Sequence, residues 1–413
     1  MKKSAKRASE LAAYGVQALQ AGHLETATKA LRVAAADLPR DGDVRYQLGV
    51  ALHRQGSTGD AIVTLTEALA RRPTAVVAAA GLLSALLKRY TIGDAGELDP
   101  AGLVAALKCD GVDQQPIVRT SLAVFRSSSV FRDLPVVAAA SGWDEAARAM
   151  ITGSSPLVRD ELLREALSRG FNTDPEIEKL LVAVRRSILC DVSEADLLAR
   201  KELFGFAVAL AAQAEMNQHI WPVEAEEAAA LDALGVDPAR LERGDVEAGA
   251  QLVKLLLYRP AVAVLPHGWT EAEPSRVRPK SLTQLLVPLV SAWVDERARA
   301  GGISAIGEIA DATSQAVAMQ YERTPYPRWT SLNVDASAIR LAEIERLAGE
   351  DAADRLRSEP FDVLVAGCGT GHHAAQATVA YGPTARLVGL DLSRASLAYA
   401  ERMCAAFGLS TIR

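Results

Sequence analysis

Three glycines at alternate positions, Gly367, Gly369 and Gly371, close the apolar run Phe361-Asp-Val-Leu-Val-Ala366, and Asp391 follows twenty residues after the last of them. The β-rich residues Val363 to Gly367 predict a strand running into a glycine turn. His372 to Tyr381 lacks glycine and proline and carries alanines at helical spacing, which predicts a helix. Ala385 to Leu390 predicts a second short strand that delivers Asp391 at its end. Strand, glycine turn, helix, strand and acid is the order of a nucleotide-cofactor half-site.

Each part has a physical job. Glycines take positive φ and let a ligand approach the main chain closely. The first turn of the following helix offers unpaired N–H groups, and a carboxylate at a strand tip accepts the hydroxyls of a ribose. A dinucleotide site of the G-x-G-x-x-G type would place its last glycine at position 372, where His372 stands instead. Gly-Cys-Gly-Thr-Gly with a following acid resembles the first two motifs of the class I S-adenosylmethionine-dependent methyltransferases. The resemblance implies that Gly367, Cys368, Gly369, Thr370 and Gly371 form a loop facing the methionine end of S-adenosyl-L-methionine. It also implies that Asp391, with Leu392 beside it, holds the ribose. A plain βαβ unit with a glycine turn is the alternative.

Composition narrows the setting. A chain of 413 residues is too long for one ordinary domain. Few aromatics against abundant alanine, leucine and valine predict an aliphatic, largely helical core. The formal net charge of −6 supplies no general drive toward nucleic acid. Lys2, Lys3, Lys6 and Arg7 begin an amphipathic helix and lack the apolar run of a signal peptide. The apolar run from Leu285 to Val294 is too short to span a membrane. Cys109, Cys190, Cys368 and Cys404 are scattered without metal-ligand spacing, as expected of reduced thiols in a cytoplasmic protein.

The N-terminal region repeats. Gly15, Gly22, Ala27, Leu31, Ala34 and Pro39 recur, shifted by 34 residues, as Gly49, Gly56, Ala61, Leu65, Ala68 and Pro73. The pattern resembles the tetratricopeptide repeat, a helix–turn–helix unit of that length. A third, degenerate unit from Thr74 to Arg89 is expected to cap the array. Concave-face aromatics are sparse, with Tyr14 and Tyr46 at candidate positions, so a protein partner and a purely structural role both stay open.

From residue 95 to 300 the pattern is helical and poor in motifs. Leu157 to Ser168, Asp174 to Ile188 and Ser193 to Gln213 carry apolar residues at spacings of three and four, and Asp174-Pro175 and Ser193 supply helix starts. Asn217, His219 and Trp221 stand together, and His267 and Trp269 share a proline-bounded loop. Neither histidine has ligands at metal spacing, and both read as packing residues.

After Gly301 and Gly302, a helix is expected over Ile306 to Tyr321. The next stretch, Gln320-Tyr-Glu-Arg-Thr-Pro-Tyr-Pro-Arg-Trp329, is stiffened by two prolines. A further amphipathic helix, Asp335 to Leu347, is expected before the glycine loop. Repeats, a helical middle, the Tyr-Glu-x-x-Pro-Tyr-Pro-Arg-Trp segment and Gly-Cys-Gly-Thr-Gly together resemble a family of bacterial repeat-containing methyltransferases. By that likeness Tyr321 or Arg328 contacts the methionine carboxylate and Trp329 walls the pocket; otherwise the segment packs the linker helix on the sheet.

The expected architecture is mostly α. It has tetratricopeptide hairpins over 1–94, a helical middle domain over 95–300 and linker helices over 301–350. The N-terminal part of a Rossmann-like α/β domain follows over 351–413. The family's catalytic domain has about seven strands, whereas Ser410 to Arg413 falls where a third would begin. A fragment, a regulatory remnant, or a sheet completed by another chain are the three explanations. The functional expectation is methyl transfer to a protein or small-molecule acceptor; the alternative is a non-catalytic repeat scaffold with a vestigial half-site. No residue stands out as a general base.

Overall fold

The computed structural model describes residues 2–91, 93–152, 156–330, 332, 345–347 and 349–409. The chain is mostly helical, with one two-stranded parallel sheet among the described residues. Among them no helix is long and apolar enough to cross a membrane. The expected helix over 335–347 lies, up to residue 344, outside the described residues, as does the segment 410–413.

The chain divides into two compact units, residues 1–266 with 276–285, and residues 267–275 with 286–413. The repeats and the helical middle up to residue 266 fall in the first unit, and the loop carrying His267 groups with the second.

The first unit opens with helices α1 (Lys2–Gln20), α2 (Leu24–Asp37), α3 (Gly42–Arg54), α4 (Thr58–Ala70) and α5 (Val76–Arg89). Glycine sets the first two crossings. A Cβ on Gly15 would lie 2.7 Å from Leu31 Cγ, and one on Gly49 would lie 2.9 Å from Leu65 Cγ. The same contact therefore recurs 34 residues along, and Leu31 and Leu65 are fully buried. Gly22 and Gly56 turn the chain between paired helices with φ of 81° and 88°. Helix α6 (Pro100–Leu107) then lies on α4. A Cβ on Gly102 would fall 1.8 Å from the Thr66 carbonyl oxygen, so only glycine fits.

The unit continues through α7 (Gln115–Ser127), α8 (Leu134–Ser141), α9 (Trp143–Ile151), α10 (Glu161–Arg169) and α11 (Pro175–Cys190). After these come α12 (Glu194–Ala199), α13 (Lys201–Met216), α14 (Ala225–Ala233), α15 (Pro238–Glu242), α16 (Val246–Leu256) and α17 (Ala261–Val264). Asp174 caps α11 by accepting from the N–H groups of Glu176 and Ile177, ahead of Pro175, and Ser193 caps α12 through the Asp196 N–H. The segment expected as one helix over 193–213 is two. Arg200 leaves helical geometry between α12 and α13, and its guanidinium donates to the Ile151 carbonyl. Deep in this unit, Arg185 stacks on the rings of Tyr258 and Trp221 and meets Glu227, which also accepts from the Tyr258 hydroxyl. His219 bonds Glu215 through its ring at 3.2 Å, and Trp221 is buried.

The second unit takes most of α18 (Lys280–Gly302), then α19 (Ala312–Arg323), α20 (Glu350–Ser358), β1 (Phe361–Ala366), α21 (His372–Tyr381), β2 (Ala385–Leu390) and α22 (Arg394–Ala406). Helix α19 starts six residues later than expected from sequence. Gly307 has φ of 158°, and the side chain of Asp311 caps the helix through the Ser314 N–H. The strands pair in parallel from Phe361 opposite Ala385 to Ala366 opposite Leu390. Val363 and Val365 pack with Ala385 and Leu387 against Ala374 and Ala377 of α21. On the other face Leu364, Val388 and Leu390 are exposed.

Candidate functional site

The cofactor-type stretch folds into one cleft. At the end of β1, the N–H groups of Gly367 and Cys368 both donate to the Leu390 carbonyl, at 2.7 and 3.0 Å, which ties the loop to the tip of β2. Gly367, Gly369 and Gly371 have φ of 67°, 53° and 78°, a region that costs an L side chain about 1–2 kcal/mol. Their surroundings differ. A Cβ on Gly367 would meet nothing within 4 Å and one on Gly369 only the Tyr326 carbonyl, at 4.0 Å, so both border open space. A Cβ on Gly371 would lie 2.5 Å from that of Ala400, so this glycine admits α22.

Asp391 leaves β2 pointing back to the loop. Its Oδ2 accepts from the Gly369 N–H at 2.8 Å and its Oδ1 from the Ser393 N–H at 3.0 Å. Two carboxylate oxygens carry about four acceptor positions, so capacity for ligand hydroxyls remains after these two bonds.

The cleft has a volume of about 430 Å³ and includes Tyr321, Tyr326, Gly369, His373, Gln376 and Asp391 in its lining. That volume lies in the range of small-molecule sites. Helix α21 begins on this cleft, with the positive end of its dipole toward it. Burial first, and then the Asp391 carboxylate, push the Cys368 thiol up to about 11. At neutral pH it is a protonated thiol, a poor nucleophile.

The Tyr321–Trp329 segment straps the glycine loop. Trp329 Nε1 donates to the Thr370 carbonyl at 2.7 Å, and the Thr370 hydroxyl donates to the Pro327 carbonyl. The Tyr399 hydroxyl of α22 donates to the Trp329 carbonyl. Trp329 is buried against Ala375, Tyr399, Met403 and Cys404 and stacks on Phe407. It therefore stands behind the loop and does not wall the cleft. Tyr321 does line the cleft, but Arg328 does not. The Arg328 guanidinium is held by Glu296 at 3.1 Å and lies over the Tyr399 ring, while Arg402 takes the other oxygen of Glu296 at 2.9 Å. A carboxylate on α18 within reach has claimed the arginine expected at a ligand. Leu392 is exposed and outside the cleft lining, whereas Cys368 and Thr370 lie in it.

Sequence reasoning missed His372, His373 and Gln376, which α21 brings to the cleft through its first two turns. The helical spacing that predicted α21 also put positions 372, 373 and 376 near its start, and that signal was available. Glu322 was missed as well; its carboxylate accepts from the Ser393 hydroxyl and the Ala395 N–H, contacts that only folding creates. No protein-family model, curated protein or solved structure matches the chain.

Proposed function

We propose that the second unit binds S-adenosyl-L-methionine and that the chain belongs to the repeat-containing methyltransferases its motifs resemble. The observation that carries this reading is a single cleft holding two open-faced glycines, the start of a helix and a carboxylate at the tip of the neighbouring strand. The residues present fit the cofactor. Gly367 and Gly369 leave room for close approach to the main chain, and Asp391 keeps acceptor capacity for ribose hydroxyls. The start of α21 faces the loop, and Tyr321 and Tyr326 offer ring surface and hydroxyls. When bound, the cofactor supplies an activated methyl on sulfur. The chain's own task is then alignment: the strap and loop hold the ligand in one orientation for in-line transfer. Cys368 takes no covalent part, because its thiol is protonated at neutral pH. The repeated hairpin contacts at Gly15–Leu31 and Gly49–Leu65 support a tetratricopeptide scaffold, which would present a protein acceptor or partner in the cytoplasm.

A second reading rests on a specific observation. The sheet has two strands among the described residues, and one face exposes Leu364, Val388 and Leu390. An apolar sheet face left exposed beside the half-site suits a non-catalytic repeat scaffold in which that half-site is vestigial.

Calorimetric titration of the whole chain with S-adenosylmethionine separates the two. The first reading expects micromolar binding. Asp391→Ala should weaken it at least about tenfold, since bonds to a charged group contribute about 1.5–3 kcal/mol each. Gly369→Arg, which drives a side chain into the cleft, should abolish it. Absence of heat from a folded protein would leave the scaffold reading.

A further inference from the structure

Helix α19 reaches the cleft through two adjacent residues with different partners. Tyr321 lines the cleft, while Glu322, one residue on, turns to the start of α22. Glu322 Oε2 accepts from the Ser393 hydroxyl at 3.0 Å and from the Ala395 N–H at 3.1 Å. Ser393 is fully buried, and its hydroxyl also accepts from the Ser396 N–H at 3.0 Å, as an N-cap should. The Ser393 main-chain N–H donates to Asp391 Oδ1, and Asp391 Oδ2 takes the Gly369 N–H. One unbroken series of hydrogen bonds therefore runs from α19 through the cap of α22 to the acid and the glycine loop.

We propose that Glu322 is a positioning residue for Asp391, acting through Ser393; its consequence for cofactor affinity rests on the S-adenosylmethionine reading above. The geometry distinguishes this role from simple capping. Ser393 already caps α22 through Ser396, so helix formation does not require Glu322. A hydroxyl has one proton, and here Glu322 receives it. That contact fixes the rotation of the Ser393 side chain and tethers residues 393 to 395 to α19. The peptide N–H that holds Asp391 is thereby fixed in direction. The Asp391 carboxylate is short and receives one main-chain N–H on each oxygen, so tipping the Ser393 amide turns the acid away from the loop. Glu322 is exposed at the end of its helix, and its replacement leaves the buried clusters around Trp329 and Ala374 untouched.

The test uses the whole chain, as wild type, Glu322→Ala and Glu322→Gln, with two readouts. The first is main-chain amide exchange of Gly369 and Ser393 by NMR, without cofactor. Loss of one hydrogen bond's worth of restraint should accelerate both about fivefold in Glu322→Ala. Glutamine keeps an acceptor oxygen and should restore wild-type exchange. The second readout is affinity for S-adenosylmethionine, expected to fall about fivefold in Glu322→Ala and to recover in Glu322→Gln. A lower melting temperature with frayed α22 amides but unchanged Gly369 exchange would reduce Glu322 to a cap and overturn the proposal. Equal affinity losses in both variants would also overturn it, because the acceptor oxygen would then be irrelevant. If wild type binds no cofactor while Gly369 exchange still follows Glu322, the cofactor reading fails and the positioning of Asp391 stands.

Discussion

The three glycines of the loop look alike in the sequence, yet the structure assigns them different work. Gly371→Ala combines a left-handed backbone with a collision against Ala400, and should destabilise the second unit by about 2–4 kcal/mol. Gly367→Ala has the strain without the collision and should cost about 1–2 kcal/mol. Urea denaturation of both variants checks the order; equal costs would mean that α22 yields to the added methyl. The glycines and Asp391 were legible because a left-handed turn and a strand-tip acid are local demands that residue type expresses directly. Arg328 was not. A long cationic side chain takes whichever carboxylate the fold brings near, and Glu296 is 32 residues away in sequence. Glu322 was hidden for the same reason, with its partner Ser393 71 residues along.

At the level of elements, helix starts marked by Asp-Pro or serine were readable, because a cap is a short-range bond between a side chain and the next turn. The break at Arg200 was not, since the guanidinium that stabilises it reaches a carbonyl 49 residues back. The buried polar cluster of the helical middle was equally invisible. Arg185 lies on α11, Glu227 on α14, and Tyr258 two residues past the end of α16, and the sequence shows three unremarkable polar positions. Burial, followed by the hydrogen bond to Glu227, pushes the Tyr258 hydroxyl well above its ordinary pKa, so it stays a donor at all ordinary pH. Glu227 and Arg185 are both essentially without solvent contact. Glu227→Ala would leave Arg185 charged and uncompensated, at a cost of about 3–5 kcal/mol. Replacing Arg185 with methionine and Glu227 with leucine together should recover most of that loss. Thermal melts of the single and double variants measure it; a double variant as unstable as Glu227→Ala would show that shape, not charge, is what the three elements require.

Across the whole molecule the four free cysteines share one electrostatic fate, and it gives the protein an alkaline weakness. Burial is the leading cause in each case: it pushes the thiols of Cys109 and Cys190 above the ordinary 9.0, and those of Cys368 and Cys404 up to about 11. Nearby carboxylates act in the same direction, from Asp110 on Cys109, Glu226 on Cys190, Asp391 on Cys368 and Glu401 on Cys404. Below pH 9 both folded and unfolded chains hold these protons, and the thiols exert no pull on the equilibrium. As pH rises from 9 toward 11 the unfolded chain releases them while the folded chain retains them. The unfolded state then binds fewer protons, and stability falls with rising pH. Tyr399, raised to about 12 chiefly by burial, extends the same trend upward, and self-repulsion of a chain already at −6 adds to it. Those contributions persist when the cysteines are removed, so the comparison isolates the thiols. A variant with all four cysteines replaced by alanine should start less stable at about pH 8, because buried volume is lost. It should then lose less of its urea midpoint than wild type on going to about pH 10.5. Parallel losses in the two proteins would mean that the thiols ionise as readily in the folded chain as in the unfolded one, and that Cys368 is open to solvent at the glycine loop.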